Sequence, residues 1–298
     1  MDWKSKRARS ILESALIEDK AAFDITTALT VDRRLRATGT ILAKQPCVVA
    51  GLGAIPAILE TFYTLAEKAG NPVPARFEVI SHPEIFDGVR VKKGQTIAVI
   101  RANAATLLST ERVTLNLLQR MSGIATLTSE FVKAVAGTKC KILDTRKTIP
   151  GLRLLDKYAV CCGGGFNHRL DLADGILIKN NHVSLGGGLA KALANALKFR
   201  KSKQFVQVEV RSQSELDEAI AGGAESILLD NMTPSAAKKA VKQIRAALPA
   251  IPIEASGNMS LETVRDYALA GVDYISVGAL THSATAVDLS MRIAADVA

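Results

Sequence analysis

The chain has 298 residues, which is enough for one large domain or two modest ones. Apolar residues make up 48% of it and aromatic residues only 4%, so the core must consist mainly of Ala, Val, Ile and Leu, and disorder is not expected. The formal net charge of +9 leaves three classes of partner to consider: nucleic acid, an anionic membrane surface and small anionic molecules.

The basic residues are dispersed rather than gathered into a stripe. The densest run lies at 198–203 and contains one aromatic residue, Phe199. Proteins that bind nucleic acids usually combine clustered Lys and Arg with aromatic side chains on which bases stack. We therefore expect no nucleic acid as a partner, and small anions are the favoured class.

The cysteine and hydropathy patterns predict a reduced, cytoplasmic protein. The four cysteines form no CxxC motif, which argues against a zinc or redox site, and the adjacent Cys161 and Cys162 are expected to pack as small apolar residues. The N-terminal segment lacks the apolar core of a signal peptide, and no run of 18 apolar residues is present that would span a membrane.

The first third of the chain has the mixed pattern of an α+β domain. A long helix is predicted at 104–135, with a break near Ser122–Gly123. The shorter predicted elements are a helix at 10–18 and strands at 37–44, 76–81 and 95–101.

From Lys141 onward, short apolar strands alternate with amphipathic helices, such as the helix predicted at 189–198. The predicted strands are 141–145, 175–179, 206–210, 226–230, 251–255 and 273–277. Such alternation is typical of parallel strands joined by right-handed crossovers. The glycine fingerprint of a dinucleotide-binding fold is missing after the first strand, which favours a barrel over an open sheet.

Polar or charged residues stand at the C-terminal end of each of these six strands. In chain order they are Asp144 to Thr148, Lys179 and Asn180, Glu209 and Arg211, Asp230 and Asn231, Glu254 with Ser256 and Gly257, and Gly278 with His282. The C-terminal ends of parallel strands meet at one end of a barrel, where the active sites of such folds are built. We therefore predict one converged active site.

The charges at these strand ends predict strongly anionic substrates. Two carboxylates, Glu209 and Asp230, come from adjacent strands and suit a magnesium ion shared with a polyphosphate, or hydrogen bonds to sugar hydroxyls. The alternative is that this pair forms ion pairs with a neighbouring Lys or Arg. The cationic side chains that would bind carboxylate or phosphate groups are Arg146, Lys147, Arg169 and Lys179.

Glycines after the last two strands predict a phosphate site. Ser256-Gly257-Asn258 and Gly278-Ala279 allow an anion to approach backbone N–H groups closely. His168 is the most site-like of the four histidines, because Arg169 adjoins it and a strand follows.

Several long, ordered motifs give this sequence a specific resemblance. They are TRKTIPGLR (145–153), KYAVCCGGGFNHRLDLADGILIKNNH (157–182), VEVRS (208–212), ILLDN (227–231), EASGN (254–258) and VGALTHS (277–283). Together with ERVTLNLLQRMSGIAT (111–126) and, more loosely, IEDKAAFDITT (17–27), they strongly resemble the quinolinate phosphoribosyltransferase family over nearly the whole chain.

The resemblance implies both a fold and a reaction. The fold would be an N-terminal α/β sandwich domain at 1–112 and an incomplete parallel α/β barrel of about six strands at 113–298. The reaction would convert quinolinate and phosphoribosyl pyrophosphate into nicotinate mononucleotide, pyrophosphate and carbon dioxide with Mg²⁺, as a step of de novo NAD biosynthesis. The active form would be a homodimer.

The resemblance also implies roles for individual residues. Four residues of one subunit would hold the two quinolinate carboxylates: Arg146, His168, Arg169 and Lys179. Arg112 would join them from the other subunit of the dimer. Lys147 would face phosphate or pyrophosphate, and Thr145 belongs to the same substrate-binding segment. Glu209 and Asp230 would engage the ribose hydroxyls and Mg²⁺. The 5′-phosphate cradle would be Ser256, Gly257, Asn258, Gly278 and Ala279, and the catalytic set would be Lys147, Lys179, Glu209 and Asp230.

Three other functions are weighed against this interpretation. A nicotinate phosphoribosyltransferase and the molybdenum-locus paralogue of the family would share the fold, but a nicotinate enzyme has only one carboxylate to hold. A non-catalytic protein that binds anions or nucleic acid would use the +9 charge without turnover. The intact carboxylate pair argues against the last, because carboxylates repel phosphate unless a metal or hydroxyls intervene.

Overall fold

The computed structural model describes residues 1–80, 82–201 and 204–296. A short 3-10 helix lies at Ala21–Phe23. The α-helices, numbered in chain order, are α1 (Lys6–Glu18), α2 (Ile25–Thr30), α3 (Ala54–Lys68), α4 (Ala104–Ala134), α5 (Arg153–Cys162), α6 (Asn180–Gly186), α7 (Leu189–Phe199), α8 (Gln213–Ala221), α9 (Pro234–Ala247), α10 (Val264–Leu269) and α11 (Ala279–His282). The strands are β1 (Arg36–Ala43), β2 (Cys47–Val48), β3 (Glu78–Ile80), β4 (Arg90–Val91), β5 (Thr96–Asn103), β6 (Lys141–Leu143), β7 (Ile176–Ile178), β8 (Val206–Val210), β9 (Ser226–Asp230), β10 (Ile253–Ser256), β11 (Tyr274–Ser276) and β12 (Leu289–Ala295).

The chain divides into two compact units. The first contains Met1–Leu127, Ile149–Gly164 and Ala284–Ala298, and the second contains Thr128–Thr148 and Gly165–Ser283. The boundary expected at residues 112 and 113 falls inside α4, which continues without interruption from Ala104 to Ala134. The division into domains at that exact position stays a prediction.

An antiparallel sheet organises the first unit. Its strand order is β12-β1-β5-β3, and β1 alternates buried and half-buried residues along its length, as expected for a strand with one face on a core. Buried residues of β1, β5, α3 and α4, such as Ile41, Ile100, Ile55 and Leu118, pack into one apolar cluster. The strand β12 was not predicted, and it brings the C-terminal segment into this unit by pairing with β1 from Ala37 opposite Ala295 onward.

A parallel sheet of six strands organises the second unit. Its order is β6-β11-β10-β9-β8-β7, and β6 and β7 are its two edges, so that the strands form an incomplete α/β barrel. All six strands predicted from the apolar pattern are present. β8 and β9 have the predicted bounds, and the other four strands are one or two residues shorter than predicted, as β6 is because Asp144 already lies outside the sheet. The fold class expected from the sequence is confirmed.

Most helices and strands predicted in the first third are also present. The helix at 10–18 is the C-terminal part of α1, and the strands at 37–44 and 95–101 are β1 and β5. The strand expected at 76–81 is confined to β3, and its last residue, Ser81, lies outside the described residues, as do Ser202 and Lys203 of the basic run at 198–203.

The break predicted near Ser122–Gly123 is wrong, because these small residues serve close packing inside a continuous helix. A Cβ atom at Gly123 would lie 2.2 Å from the backbone oxygen of Thr285. The Ser122 hydroxyl accepts a hydrogen bond of 3.0 Å from the backbone N–H of Ala50. Glycine usually destabilises a helix, but Gly123 lets the backbone at Thr285 approach more closely than any larger residue would allow.

Across residues 1–80, 82–201 and 204–296, no helix has both the length and the apolar character needed to cross a bilayer.

All four cysteines are free thiols, and burial raises the pKa of Cys162 to about 12 and that of Cys140 to about 12. These two thiols are therefore poor nucleophiles. Of the adjacent pair expected to pack as small apolar residues, Cys162 is half-buried but Cys161 is exposed, so the expectation is wrong for Cys161.

The packing at Gly123 gives a stability test. Gly123→Ala should lower the free energy of unfolding by roughly 1–2 kcal/mol, because an overpacked backbone contact costs more than the helix propensity that alanine gains. The measurement is urea unfolding followed by circular dichroism. Gly186→Ala is the matched control, since its Cβ atom would lie 3.4 Å from the Cβ atom and 4.0 Å from the Cα atom of Ala192, which are ordinary contact distances. Equal stability of the two variants would contradict the packing argument.

Candidate active site

A cavity of about 780 Å³ lies at the C-terminal ends of the parallel strands in the second unit. This is the end at which the sequence predicts a converged site, and the register explains why its residues meet. Glu209 stands opposite Leu228, and Ser256 stands opposite both Asp230 and Ser276. Because neighbouring parallel strands end level with one another, the residues that follow them face the same space.

All predicted site residues except Arg112 line this cavity. They are Thr145, Arg146, Lys147, His168, Arg169, Lys179, Glu209, Asp230, Ser256, Gly257, Asn258, Gly278 and Ala279. Arg112 belongs to the first unit, where it is exposed on α4. The functional roles of all these residues stay predictions.

Two arginines form the cationic side of the cavity. Burial and the positive charge of Arg146 lower the pKa of Arg169, and Asp174 opposes that effect. The Nε atom of Arg146 is buried, and no residue of the described chain offers it a hydrogen-bond acceptor. A buried guanidinium N–H without an acceptor is costly, so this site is arranged for an anion that supplies the missing oxygen.

His168 is held against this cationic side by the sheet beneath it. Its backbone N–H donates to the fully buried Asp144 carboxylate at 2.8 Å, and its Nδ1 atom accepts from the backbone N–H of Arg169 at 2.8 Å. Its Nε2 atom lies 3.1 Å from Gln207 Oε1 and 3.3 Å from Glu254 Oε2. These contacts fix both the position and the tilt of the imidazole ring.

Glu254 is the carboxylate at the floor of the cavity, and the sequence analysis assigns it no role. It is 2% exposed and accepts hydrogen bonds from the Ser276 hydroxyl and from Gln207 Nε2, the latter at 2.7 Å. Burial opposes the charged form of His168, but the hydrogen bond and the negative charge of Glu254 outweigh it and raise the pKa of His168. The signal in the sequence is that Glu254 and Ser256 share one face of β10, at positions i and i+2.

The second pair of carboxylates is already engaged by cations. Arg211 donates from Nε to Asp230 Oδ2 at 2.9 Å and from a terminal nitrogen to Glu209 Oε1 at 3.2 Å. Lys179 Nζ lies 3.0 Å from Glu209 Oε2. The alternative considered for this pair, an ion pair with neighbouring basic residues, is therefore what the structure contains.

The same two carboxylates fit a magnesium ion that arrives with a phosphate ligand. Within the described part of the chain, no group of three or more His, Cys, Asp or Glu residues is arranged to hold a metal by itself. Mg²⁺ is commonly held by one or two carboxylates together with substrate phosphates and water. Glu209 and Asp230 match that donor set, and they do not match a metal site made only of protein ligands.

The glycine-rich rim of the cavity is shaped for a close approach. Gly257 has φ +104°, and a Cβ atom there would lie 2.2 Å from Asn231 Oδ1. Asn231 and Asn258 also have positive φ, which asparagine tolerates better than most residues. A Cβ atom at Gly278 would meet His282 Nε2 at 3.1 Å and Lys147 Cδ at 3.2 Å. Only glycine keeps the backbone N–H groups of this rim open to a ligand.

Several polar residues at the cavity received no individual role from the sequence. Those that line it are Asn180, Arg211, Asn231, Glu254, Ser276 and His282, and Gln207 lies behind Glu254, to which it donates a hydrogen bond. Most of them stand at the same strand ends as the predicted residues, so position alone was the available signal. Gln207 lies inside β8, and nothing in the sequence pattern distinguishes it from a residue of the strand core.

A larger cavity, of about 1060 Å³, lies in the first unit and has a different character. Its wall is mostly apolar and includes the exposed side chains of Phe23, Ile25 and Leu29. It lacks the paired arginines and paired carboxylates found in the second unit. The charged cavity of the second unit is therefore the candidate active site.

Comparison with known proteins agrees with this geometry. Family models described as the N-terminal and C-terminal domains of quinolinate phosphoribosyl transferase match residues 24–122 and 124–292. The chain is 42% identical over 293 residues to a protein of Mycobacterium leprae named nicotinate-nucleotide pyrophosphorylase (carboxylating), covering 98% of this chain and 99% of that protein.

Solved structures give the same result at the level of the fold. The crystal structure of NadC from Streptococcus pyogenes superposes with a TM-score of 0.85 at 36% identity, covering 96% of each chain. Human nicotinic acid phosphoribosyltransferase superposes with a TM-score of 0.66 at 14% identity, covering 94% of this chain and 74% of that one, which indicates a shared fold alone. The two family models together match most of the chain, and the chain belongs to the quinolinate phosphoribosyltransferase family.

Proposed function

We propose that this protein transfers the phosphoribosyl group of phosphoribosyl pyrophosphate to quinolinate and releases pyrophosphate and carbon dioxide. The product would be nicotinate mononucleotide, and the step belongs to de novo NAD biosynthesis. The observation that carries the proposal is the cationic side of the cavity, where Arg146 has a buried N–H without an acceptor and Arg169 has a lowered pKa. Both features are relieved by a ligand that brings carboxylates.

The number of cations supports a substrate with two carboxylates. Arg146 and Arg169 offer forks that match a carboxylate in two-point contact, and His168 adds a third charge when it is protonated. Lys179 follows the neighbouring strand β7, and its Nζ atom lies 3.0 Å from Glu209. Its charge would therefore lie close to both quinolinate and the ribose. A substrate with one carboxylate would leave part of this set without a partner.

The rim and the carboxylate pair support a phosphoribosyl substrate. The 5′-phosphate would lie on the backbone of Ser256, Gly257 and Asn258, and near Gly278 and Ala279, where the two glycines add no side chain of their own. Glu209 and Asp230 would accept hydrogen bonds from the ribose hydroxyls and contact Mg²⁺. Lys147, whose stem lies beside Gly278, would face the phosphate or the pyrophosphate.

Glycosyl transfer needs stabilisation of positive charge at the anomeric carbon. As the bond to pyrophosphate breaks, Glu209 and Asp230 would stabilise the growing positive charge on the sugar, while Lys147 would stabilise the leaving group. Magnesium, when bound, would supply further positive charge to the departing pyrophosphate. Arg146, Arg169 and His168 would hold the ring nitrogen of quinolinate in line with that carbon.

Loss of carbon dioxide then follows from the product of the first step. Once the ring nitrogen is glycosylated, the pyridinium ring accepts the electron pair of the breaking carbon–carboxylate bond, and a proton replaces carbon dioxide at that carbon. No side chain has to act as a strong base. Positioning and electrostatics would supply most of the rate enhancement.

The proposed partners and location follow from the same reasoning. We propose a homodimer in which each site is completed by Arg112 of the partner subunit, and a cytoplasmic location with no nucleic acid or membrane as partner. The proposal of a dimer rests on the family resemblance, and the exposed position of Arg112 on α4 leaves its side chain accessible to another chain.

The acceptor can be identified by turnover. With phosphoribosyl pyrophosphate and Mg²⁺, quinolinate should give nicotinate mononucleotide and an equal amount of carbon dioxide, because the paired arginines are matched to two carboxylates. Nicotinate offered under the same conditions should give no product. Both products are measured by chromatography and by release of labelled carbon dioxide. Product from nicotinate alone would keep the phosphoribosyl site and overturn the assignment of the arginines.

The raised pKa of His168 predicts a pH dependence of quinolinate binding. A raised pKa means that His168 keeps its proton to a higher pH, so affinity should be full below that pKa and fall as pH rises through it. In Glu254→Gln the charge that raises the pKa is lost while burial remains, and the fall should move to lower pH. Calorimetry gives the affinity, and NMR titration of the imidazole signals gives the pKa of His168 in each variant.

The signal of His82, which belongs to the first unit, is the internal reference for that titration. Arg169 and Gln207 also face His168, and both are unchanged in this variant. An unshifted His168 titration in Glu254→Gln would contradict the role given to Glu254.

The role of Arg112 in the partner's site is tested by mixing inactive variants. Arg112→Ala and Lys179→Ala chains should each be inactive, and a mixture should recover about a quarter of the wild-type activity, because half of randomly exchanged dimers are hybrids with one intact site. Activity is measured after subunit exchange, which is verified by mass spectrometry of differently tagged chains. No recovery despite proven exchange would refute action across the dimer.

A further inference from the structure

The contact between Arg211 and the carboxylate pair has a role that the proposed reaction does not explain. Arg211 follows β8 directly and stands two residues after Glu209, so both side chains leave the same face of the chain. Its guanidinium spans Glu209 and Asp230, which come from neighbouring strands. One cation therefore occupies both of the groups that the proposed function gives to the ribose and magnesium.

The two carboxylates are well shielded, and the arginine is not. The side chains of Glu209 and Asp230 are 4% and 11% exposed, whereas that of Arg211 is 45% exposed. Two adjacent carboxylates in a sheltered cavity repel each other and require a counter-charge. Lys179 supplies part of that charge at Glu209, and Arg211 is the cation that contacts both carboxylates. Its exposed side chain has a path to solvent.

The backbone of Arg211 is anchored while its side chain is reached from solvent. Its N–H donates to Glu215 Oε2 at 2.6 Å, and the next residue, Ser212, caps α8 by accepting from the backbone N–H of Glu215 at 3.2 Å. Releasing the carboxylates therefore requires only rotation of the arginine side chain. Neither the strand nor the helix has to move.

We propose that Arg211 is a resident counter-cation, which competes with magnesium-bound phosphoribosyl pyrophosphate for Glu209 and Asp230 and must leave them before the cosubstrate binds. This inference rests on the proposed function, because that function assigns the pair to the cosubstrate. The guanidinium, which lies within 3.2 Å of both carboxylates, repels a hard cation that approaches the same oxygen atoms, so the two compete for the pair. Arg211 is thus a positioning residue that sets the affinity for the cosubstrate and keeps the pair neutralised in its absence.

Direct binding tests the sign of this effect. Arg211→Gln should bind magnesium-bound phosphoribosyl pyrophosphate on the order of tenfold more tightly than the wild type, the equivalent of about one charge-assisted hydrogen bond that no longer has to be broken. Arg211→Lys, which keeps the charge but loses the fork, should lie between them. Calorimetry without quinolinate measures the affinity, and circular dichroism verifies that each variant is folded.

A second readout does not depend on the cosubstrate. Mn²⁺ alone, followed by electron paramagnetic resonance of the free ion, should bind more tightly to Arg211→Gln than to the wild type, and adding Asp230→Asn should abolish the gain. Arg200→Gln is the matched control, because Arg200 forms an ion pair with Glu225 in the same unit and does not line the cavity. It should bind both ligands as the wild type does.

The two proposals fail in different ways. Unchanged or weaker binding of the cosubstrate by folded Arg211→Gln would overturn the competition, even if quinolinate is converted normally. Failure to convert quinolinate would overturn the proposed reaction, while tighter Mn²⁺ binding by Arg211→Gln would still support the competition for the carboxylates.

Discussion

The mutual repulsion of two partly buried arginines is the constraint on which the candidate site depends. Arg146 follows β6, and Arg169 lies on the segment that reaches β6 through the bridge between Leu143 and Phe166. Burial and the charge of Arg146 together lower the pKa of Arg169, so holding the two arginines in this cavity costs stability. Such an arrangement persists only where the surrounding fold enforces it.

The surrounding hydrogen bonds show how the fold enforces it. Fully buried Asp144 holds the backbone of His168, Asp174 accepts the backbone N–H of Leu170 at 2.8 Å, and the Gly175 carbonyl accepts from Arg169 at 3.2 Å. These hydrogen bonds lie on both sides of Arg169 along the chain. The segment that contains Arg169 runs from β6 to β7, and the parallel sheet fixes both strands. The positive side of the cavity is therefore built before any ligand arrives, which is what electrostatic preorganisation requires.

Much of this arrangement could be predicted from the sequence, and the physical reason is the regularity of parallel strands. Alternation of apolar strands with helices located all six strands of the barrel, and polar residues at their ends located nearly every charged group of the cavity. The strand β12 was not predicted because it lies at the edge of its sheet and is only partly buried, so that its residues alternate only weakly between apolar and polar. Gly123 was misinterpreted because a helix break and a close backbone contact leave the same small residues in the sequence.

Pairing between charged groups was harder to predict than their convergence. The sequence indicated that Glu209 and Asp230 face one space, but not that Arg211 spans them, since side-chain geometry decides which of several neighbouring cations reaches a carboxylate. Glu254 was overlooked as a partner for His168 for the same reason, because the two groups come from segments 86 residues apart in the chain and meet only in the folded sheet. Strand order determines such contacts, and local patterns do not contain it.

The charge balance of the cavity links these observations to the chemistry. Its lining holds five cationic side chains, Arg146, Lys147, Arg169, Lys179 and Arg211, and three acidic ones, Glu209, Asp230 and Glu254. Without the two histidines the excess is two positive charges, which matches in magnitude the two negative charges of a pyridine dicarboxylate, and His168 adds a third positive charge when it is protonated. A polyphosphate brings negative charge beyond that excess, and a cavity of this composition meets it only with an additional cation. The same balance explains the position of Arg211 between the two carboxylates. Without it, Lys179 at Glu209 would be the nearest counter-charge for two shielded carboxylates, and with it fixed in place the cosubstrate would find them occupied.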